Sequence, residues 1–247
     1  MKSGWFEKIG RSLAPSRRLF IFPYAGGGSV PFRNWAEFIP DDVDARIVLL
    51  PGRERRYRET PYRSVETLLP PLMEAMAPLL DRPFAFFGHS MGAAVAFEAA
   101  HRLGKQNPPQ HLFVSGRRAP RRVNRASIEV DISDDHLKKV LQNIGGTPPE
   151  ILSNEALMSV FLPMLRADFQ LSHTYVRPAG EPLDCPVTVL GGRNDPQVAT
   201  SDLEGWRDIT TGEVDIRLFD GNHFFIMPHR KAVMSVIANQ LGKIAMG

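Results

Sequence analysis

The segment Gly88-His89-Ser90-Met91-Gly92 places a serine between two glycines in the pattern G-x-S-x-G. The apolar run "PFAFF" precedes it and the small-residue run "AAVAFEAA" follows it, which predicts a strand, a tight turn and a helix. Such a turn presents the serine hydroxyl as a nucleophile, and the glycines remove side-chain clashes between strand and helix. The alternative is an ordinary turn with an inert serine, but the flanking strand and helix favour the nucleophile.

A serine nucleophile requires a base that accepts its proton and an acid that orients the base. In chains with this type of turn, the acid and then the histidine follow the serine at the ends of later strands. Asp195 follows the run "PVTVLGG" and His223 follows "EVDIRLFDGN", so we predict that these two residues complete the set, with Asp202 as the second choice for the acid. The other six histidines lie in less suitable positions. His89 is in the turn itself, and His101 and His111 lie within or just after the helix that follows it. His136 and His173 lie in a long insertion, and His229 lies at the start of the last helix.

Attack on a carbonyl group also requires two backbone N–H groups that stabilise the developing oxyanion. The residue after the nucleophile, Met91, supplies one, and a loop after an earlier strand supplies the other. The sequence "FPYAGGG" at 22–28 predicts that loop, with Ala25 as the expected donor and Gly26 as the next choice. These glycines do not predict a dinucleotide site, because the pattern G-x-G-x-x-G fails at Pro31.

Several apolar runs predict the sheet that must position these residues. Most are continuous rather than alternating, which is typical of parallel strands buried on both faces. Helical segments are predicted at about 64–80, 91–104 and 229–242, and their alternation with the strands indicates a doubly wound α/β domain. We assign this domain to residues 17–247, after an N-terminal tail at 1–16. The predicted strands are 18–24, 45–52, 83–88, 110–116, 186–192 and 213–221.

The interval of about 117–185 is longer than a simple crossover requires, so we predict an insertion there. It is either structural padding or a lid, and its position at the ligand-binding edge of the sheet favours a lid. One helix is predicted to begin after Ser133, with Leu137, Val140, Leu141 and Ile144 on its apolar face, and a second begins near Asn154. The apolar face predicted for the second helix contains Leu157, Val160, Phe161 and Met164. Four side chains could face either the core or a substrate, and core is the favoured prediction for most of them: Met158, Phe161, Met164 and Phe169.

Composition narrows the class of protein. Hydrophobic residues make up 43% and charged residues 23% of the 247 residues, which is typical of a globular domain. The single cysteine, Cys185, cannot form an intrachain disulfide, and no zinc-ligand spacing is present, so we expect no metal and no cofactor. Neither a signal-peptide pattern nor a membrane-spanning run is found, which predicts a cytoplasmic protein without a membrane partner.

The formal net charge is +3, and arginines cluster at 53–58 and 117–122. One interpretation is that these are solvated loops; the other is that they steer an acidic partner to the surface. No nucleic-acid-binding motif accompanies the charge, so we predict no nucleic-acid partner.

Taken in order, several motifs resemble those of the type II thioesterases of polyketide and nonribosomal peptide synthesis, which are α/β-hydrolases. The resemblance extends over nearly all of the chain after about Arg17. It rests on "FPYAGGG", "LPGRERRYRE", "FFGHSMGAAVAFE", "LRADF", "VLGGRNDPQV" and "GNHFFI".

The resemblance implies hydrolysis of acyl groups from the phosphopantetheine arm of an acyl- or peptidyl-carrier protein, which clears aberrant or stalled units. It also implies that Ser90, Asp195 and His223 form the catalytic triad, that Ala25 and Met91 form the oxyanion hole, and that the insertion is a lid. We expect a monomer. Three alternatives remain: a general esterase or lipase, a medium-chain thioesterase that terminates fatty acyl chains, and a non-catalytic relative that binds an acyl ligand or a partner.

Overall fold

The computed structural model describes residues 4–120, 133–147, 149–177 and 180–244. Within these residues, the strands are β1 Phe6–Ile9, β2 Arg17–Phe22, β3 Val43–Val48, β4 Phe84–His89, β5 His111–Ser115, β6 Val187–Gly192 and β7 Val214–Phe219. They form one seven-stranded sheet in the order β1-β3-β2-β4-β5-β6-β7. All neighbouring strands are parallel except β1, which runs antiparallel to β3.

All six strands predicted from the sequence are present, and the mostly parallel sheet is confirmed. Every residue of the central strands β4, β5 and β6 is buried, which explains their continuous apolar sequences. Successive side chains point to opposite faces of the sheet. Phe20 and Phe86 therefore pack on one face, whereas Ile21 and Phe87 pack on the other. The helices are α1 Val65–Met76, α2 Met91–Leu103, α3 Asp134–Ile144, α4 Pro149–Leu152, α5 Glu155–His173 and α6 Arg230–Ile244. Apolar residues of α1 and α2 cover the first face, and those of α6 cover the second.

Strand β1 lies inside the segment 1–16, for which the sequence predicted only a tail. Its residues pair in register with β3, from Phe6 opposite Val48 to Ile9 opposite Ala45. The prediction of a tail outside the domain is therefore wrong for these four residues. The strand was missed because it is short and its sequence, FEKI, has two charged residues at its centre.

The predicted insertion contains helices α3, α4 and α5, and its residues 121–132 lie outside the described part of the chain. Helix α3 begins as predicted, since the Ser133 hydroxyl accepts a hydrogen bond from the His136 amide. Apolar residues of α3 and α5 form a cluster that also contacts Ala25 and Phe224, in the turns after β2 and β7. The insertion therefore packs over the carboxyl edge of the sheet, where ligands bind in open α/β folds.

The predicted apolar face of α5 is wrong for three of its four residues. Leu157, Val160 and Phe161 are 38%, 71% and 43% exposed. The buried stripe instead contains Met158, Leu162, Leu165 and Phe169, at i, i+4, i+7 and i+11, and Met164 is also buried. Apolar residues occur on two sides of this helix, so its periodicity alone did not determine which side faces the protein.

None of the described helices is long and apolar enough to cross a bilayer.

Candidate active site

Ser90 occupies the turn between β4 and α2, as predicted. Its φ of 54° and ψ of −115° are rare for a residue with a side chain, so the turn is strained. A Cβ atom at Gly88 would lie 2.3 Å from the Gly92 carbonyl oxygen, and a Cβ atom at Gly92 would lie 2.0 Å from the Phe22 carbonyl oxygen. Both glycines are therefore required for the helix to pack this closely against strands β2 and β4.

Asp195 and His223 meet at the ends of β6 and β7. Nδ1 of His223 lies 2.7 Å from Oδ2 of Asp195, and their side chains are only 3% and 1% exposed. The other carboxylate oxygen of Asp195 accepts the Gln197 amide at 2.8 Å. Among the described residues, Asp195 rather than Asp202 is the acid within hydrogen-bonding distance of His223. This arrangement fixes the imidazole with Nδ1 towards the carboxylate.

Ala25 and Met91, the residues predicted for the oxyanion hole, lie in the turn after β2 and at the first position of α2. The Gly26 amide, the second choice, donates to Oδ2 of Asp168 at 2.7 Å. Because Gly26 already has this acceptor, the geometry favours Ala25 as the donor in this loop. The N-terminus of α2 also directs its positive end towards the site.

Ser90, His223 and Ala25 line one cavity of about 370 Å³. The insertion supplies much of its wall, which supports the interpretation of the insertion as a lid rather than padding. The residues that the insertion contributes include Ile144, Phe169, Ser172, His173, Tyr175 and Val176. Of the four side chains predicted to face either the core or a substrate, Phe169 therefore lines the cavity and Phe161 is partly exposed.

His89 is fully buried and packs against His223. Its Nδ1 is 2.8 Å from the Ser115 hydroxyl, and its ring centre is 5.1 Å from that of His223. Burial, together with the nearby charge of His223, holds the pKa of His89 well below its usual 6.5. His89 is therefore a neutral support for His223, and a Cβ atom at Gly116 would lie only 2.6 Å from it.

The described cavity wall contains arginine and histidine but no carboxylate side chain. Arg117 donates to the Ser172 hydroxyl and to the Ser172 carbonyl, both at 2.9 Å, and burial lowers its pKa to about 10. Burial, and then the charge of Arg117, lowers the pKa of His173. The wall therefore favours neutral or electron-rich groups over cations.

The arginines at 53–58 only partly match the solvated-loop interpretation. Arg53 and Arg56 are buried, and Arg53 forms a two-pronged ion pair with Asp168 of α5. Sequence reasoning missed this pair because its members are 115 residues apart. The motifs "LPGRERRYRE" and "LRADF", which contain them, were the available signal.

No group of three or more His, Cys, Asp and Glu side chains in the described residues could hold a metal ion. Cys185 is buried, and burial raises the pKa of its thiol to about 12. It is therefore a packing residue with no thiolate character.

Comparison with known proteins gives a consistent family. A sequence model described as "Thioesterase domain" matches residues 17–241. The chain is 37% identical over 239 residues to the gramicidin S biosynthesis protein GrsT of Aneurinibacillus migulanus, a match that covers 96% of this chain and 93% of GrsT.

Two solved structures superpose closely. RedJ, a thioesterase from the prodiginine biosynthetic pathway in Streptomyces coelicolor, has a TM-score of 0.84 at 36% identity, covering 95% of this chain and 89% of RedJ. YbtT, a type II thioesterase from the yersiniabactin NRPS/PKS pathway, has a TM-score of 0.85 at 30% identity, covering 96% and 98%.

The fold is therefore that of an α/β-hydrolase with a helical insertion over its site, as the resemblance implied. The chain belongs to the thioesterase family.

Proposed function

We propose that this protein is a type II thioesterase that uses Ser90, His223 and Asp195 to hydrolyse acyl thioesters on the phosphopantetheine arm of carrier proteins. By this reaction it removes aberrant or stalled acyl units from polyketide or nonribosomal peptide synthases. The observation that carries the proposal is the 2.7 Å contact of His223 with Asp195, beside a cavity that Ser90 and His223 share.

In the acylation step, Nε2 of His223 accepts the Ser90 proton while the serine oxygen attacks the thioester carbonyl. Asp195 holds the imidazole in orientation and stabilises the imidazolium that forms. The C–S bond then breaks, and the phosphopantetheine sulfur leaves and takes up the proton that His223 received from Ser90, which returns the imidazole to its neutral form. Thiols have a pKa of about 8.5, so this group needs less help from an acid than an alkoxide does.

In the deacylation step, His223 removes a proton from water, which attacks the acyl-serine. The free acid leaves, and Ser90 recovers its proton. In both steps the carbonyl oxygen becomes negative, and the Ala25 and Met91 amides are the proposed donors that stabilise it.

The carrier protein is the proposed partner, because GrsT is a gramicidin S biosynthesis protein and YbtT is a type II thioesterase from an NRPS/PKS pathway. No nucleic acid or membrane partner is proposed, and the expected state is a monomer in the cytoplasm.

The deciding experiment uses a carrier protein loaded with an acyl-phosphopantetheine group, beside a free oxygen ester of the same acyl group. Wild type is expected to release the acid from the carrier faster than from the ester. Ser90→Ala should lower this rate by on the order of 10⁶, to the limit set by background hydrolysis. Ser235→Ala, which removes an exposed hydroxyl on α6, is the matched control and should retain the wild-type rate.

The other outcomes identify the rival functions. Faster turnover of the free ester would indicate a general esterase, and a sharp maximum at medium acyl length would indicate chain termination. Ser90→Ala activity equal to wild type would refute the mechanism. Absence of turnover, together with failure of a phosphonate to label Ser90, would indicate a non-catalytic relative.

A further inference from the structure

Asp168 links the insertion to the loop that carries Ala25. It lies on helix α5 with its side chain 2% exposed, and Oδ2 accepts the Gly26 amide at 2.7 Å. The same oxygen accepts Nη1 of Arg53 at 2.9 Å, while Oδ1 accepts Nη2 at 2.8 Å. One carboxylate therefore binds the loop backbone and a buried guanidinium together.

Arg53 holds the same loop at a second point. Its Nη1 also donates to the Gly27 carbonyl oxygen at 2.8 Å, and its side chain is 5% exposed. The Gly26 N–H and the Gly27 C=O are thus both fixed by one ion pair. Two consecutive residues after Ala25 have their backbone orientation set by side chains from distant parts of the chain.

Glu54, the next residue, fixes the far end of the loop. Its carboxylate accepts the Ser29 amide and the Ser29 hydroxyl, both at 2.6 Å. Glu54 has a φ of 46°, and the only other described non-glycine residue with positive φ is Ser90. Backbone strain at such a position persists only where the surroundings enforce it, and it clusters at functional sites.

Helix α5 also limits the loop by direct packing. A Cβ atom at Gly26 would lie 2.6 Å from Cδ2 of Leu165, and one at Gly28 would lie 2.1 Å from Oε1 of Glu54. The loop therefore fits closely between α5 and the segment after β3, and a shift of α5 would remove both the packing and the Asp168 acceptor.

A buried ion pair is a poor device for stability alone. Removing both charges from water has a large free-energy cost, and a well-packed apolar pair often stabilises a fold equally well. A two-pronged Arg–carboxylate pair does, however, define geometry tightly, because both partners are planar and bind at fixed angles. Its location at this loop points to a geometric role.

We propose that Asp168 and Arg53 are positioning residues that orient the Ala25 amide towards the oxyanion, so that the oxyanion hole is complete only while α5 is docked on the loop. This inference depends on the oxyanion role proposed for Ala25. It assigns to the insertion a part in forming the transition-state site, in addition to covering the cavity.

The test compares wild type with Asp168→Asn and Arg53→Lys on a small acyl thioester. Asp168→Asn keeps the side-chain shape and an acceptor oxygen but loses the charge that fixes Arg53. We expect kcat per titrated active site to fall about 10- to 100-fold, below the full cost of losing an oxyanion donor, with KM nearly unchanged. Arg53→Lys keeps the positive charge but loses the two-pronged geometry. We expect its kcat to lie between the values for Asp168→Asn and wild type.

A second measurement distinguishes a misplaced Ala25 amide from a general loss of folded structure. A trifluoromethyl ketone analogue of the thioester adds to Ser90 and places an oxyanion in the hole, so its affinity should fall in parallel with kcat. A thioether analogue, which forms no oxyanion, should bind all variants equally. Asp44→Asn is the matched control, because it breaks the buried Arg18 pair away from the cavity. It should lower thermal stability while kcat per active site and ketone affinity stay at wild-type values.

The proposal is overturned if Asp168→Asn keeps the wild-type kcat per titrated active site. It is also overturned if the total activity of the variant falls only in proportion to the number of active sites that can be titrated. A fall in kcat with unchanged ketone affinity also overturns it. These failures differ from failure of the proposed function, which is read separately from Ser90→Ala in the same assay: an inactive Ser90→Ala with a fully active Asp168→Asn removes only this inference.

Discussion

Oδ2 of Asp195 lies 2.7 Å from Nδ1 of His223, although 28 residues separate them along the chain. The contact follows from the sheet: β6 and β7 are parallel neighbours with Gly192 opposite Phe219, so the turns that follow them begin side by side. Two residues that share only a position after a strand thereby become hydrogen-bonded partners.

Asp195→Asn should lower kcat on the order of 10³- to 10⁴-fold, because an amide can hold the imidazole in the wrong tautomer and cannot stabilise the imidazolium. Steady-state hydrolysis of an acyl thioester at neutral pH measures this effect. Asp202→Asn is the matched control, since Asp202 was the alternative acid, and it should keep the wild-type kcat. If the two variants exchanged these results, Asp202 would be the orienting acid.

Gly92→Ala should destabilise the protein, because the new methyl group would lie 2.0 Å from the Phe22 carbonyl oxygen. As at other overpacked sites, we expect the free energy of unfolding to fall by about 1–3 kcal/mol or more. Urea unfolding measures this change as a lower midpoint. Gly242→Ala tests the opposite case: a Cβ atom there meets nothing within 4 Å in helix α6. It should stabilise by roughly 0.5–1 kcal/mol, and equal effects of the two substitutions would contradict the packing argument.

The buried environment of His111 predicts part of the loss of folding stability at acid pH. Its ring stacks on Phe113, its Nε2 lies 2.8 Å from the Thr188 hydroxyl, and burial lowers its pKa from 6.5 to about 4. Between those values the unfolded chain binds a proton that the folded protein does not. Stability therefore falls as pH falls, by up to about 1.4 kcal/mol per pH unit for this residue.

Urea unfolding of wild type and His111→Gln at several pH values from 7.5 to 4.5 measures this contribution. Plotted against pH, the free energies of unfolding of the two proteins should run parallel above pH 6.5. Below that pH the two curves should converge, because the free energy of the variant falls less steeply as the pH falls. Parallel curves over the whole range would show that His111 does not titrate in this way. His89, whose pKa is also lowered by burial, is present in both proteins and does not affect the difference.

The sequence predicted best where burial and chain geometry leave few choices. A local sequence pattern was enough to predict the continuous apolar strands and the glycines around Ser90. The same holds for the positions of Asp195 and His223 after the ends of strands. The buried face of α5 was not readable, since Val160 and Phe161 are as apolar as the residues that are buried. The Arg53–Asp168 pair was missed for another reason: only the folded chain brings its members together, and arginine clusters usually indicate solvent.

Strand β1 has a consequence for the solubility of shortened forms of this protein. It covers one side of β3, which is otherwise an open row of backbone donors and acceptors, and it places Glu7 and Lys8 at that border. A chain cut back to residue 17, where the family match begins, would expose β3 as a new edge. Exposed apolar edges recruit strands from other molecules and lead to aggregation, so four residues at the start of the sheet act as a barrier to self-association.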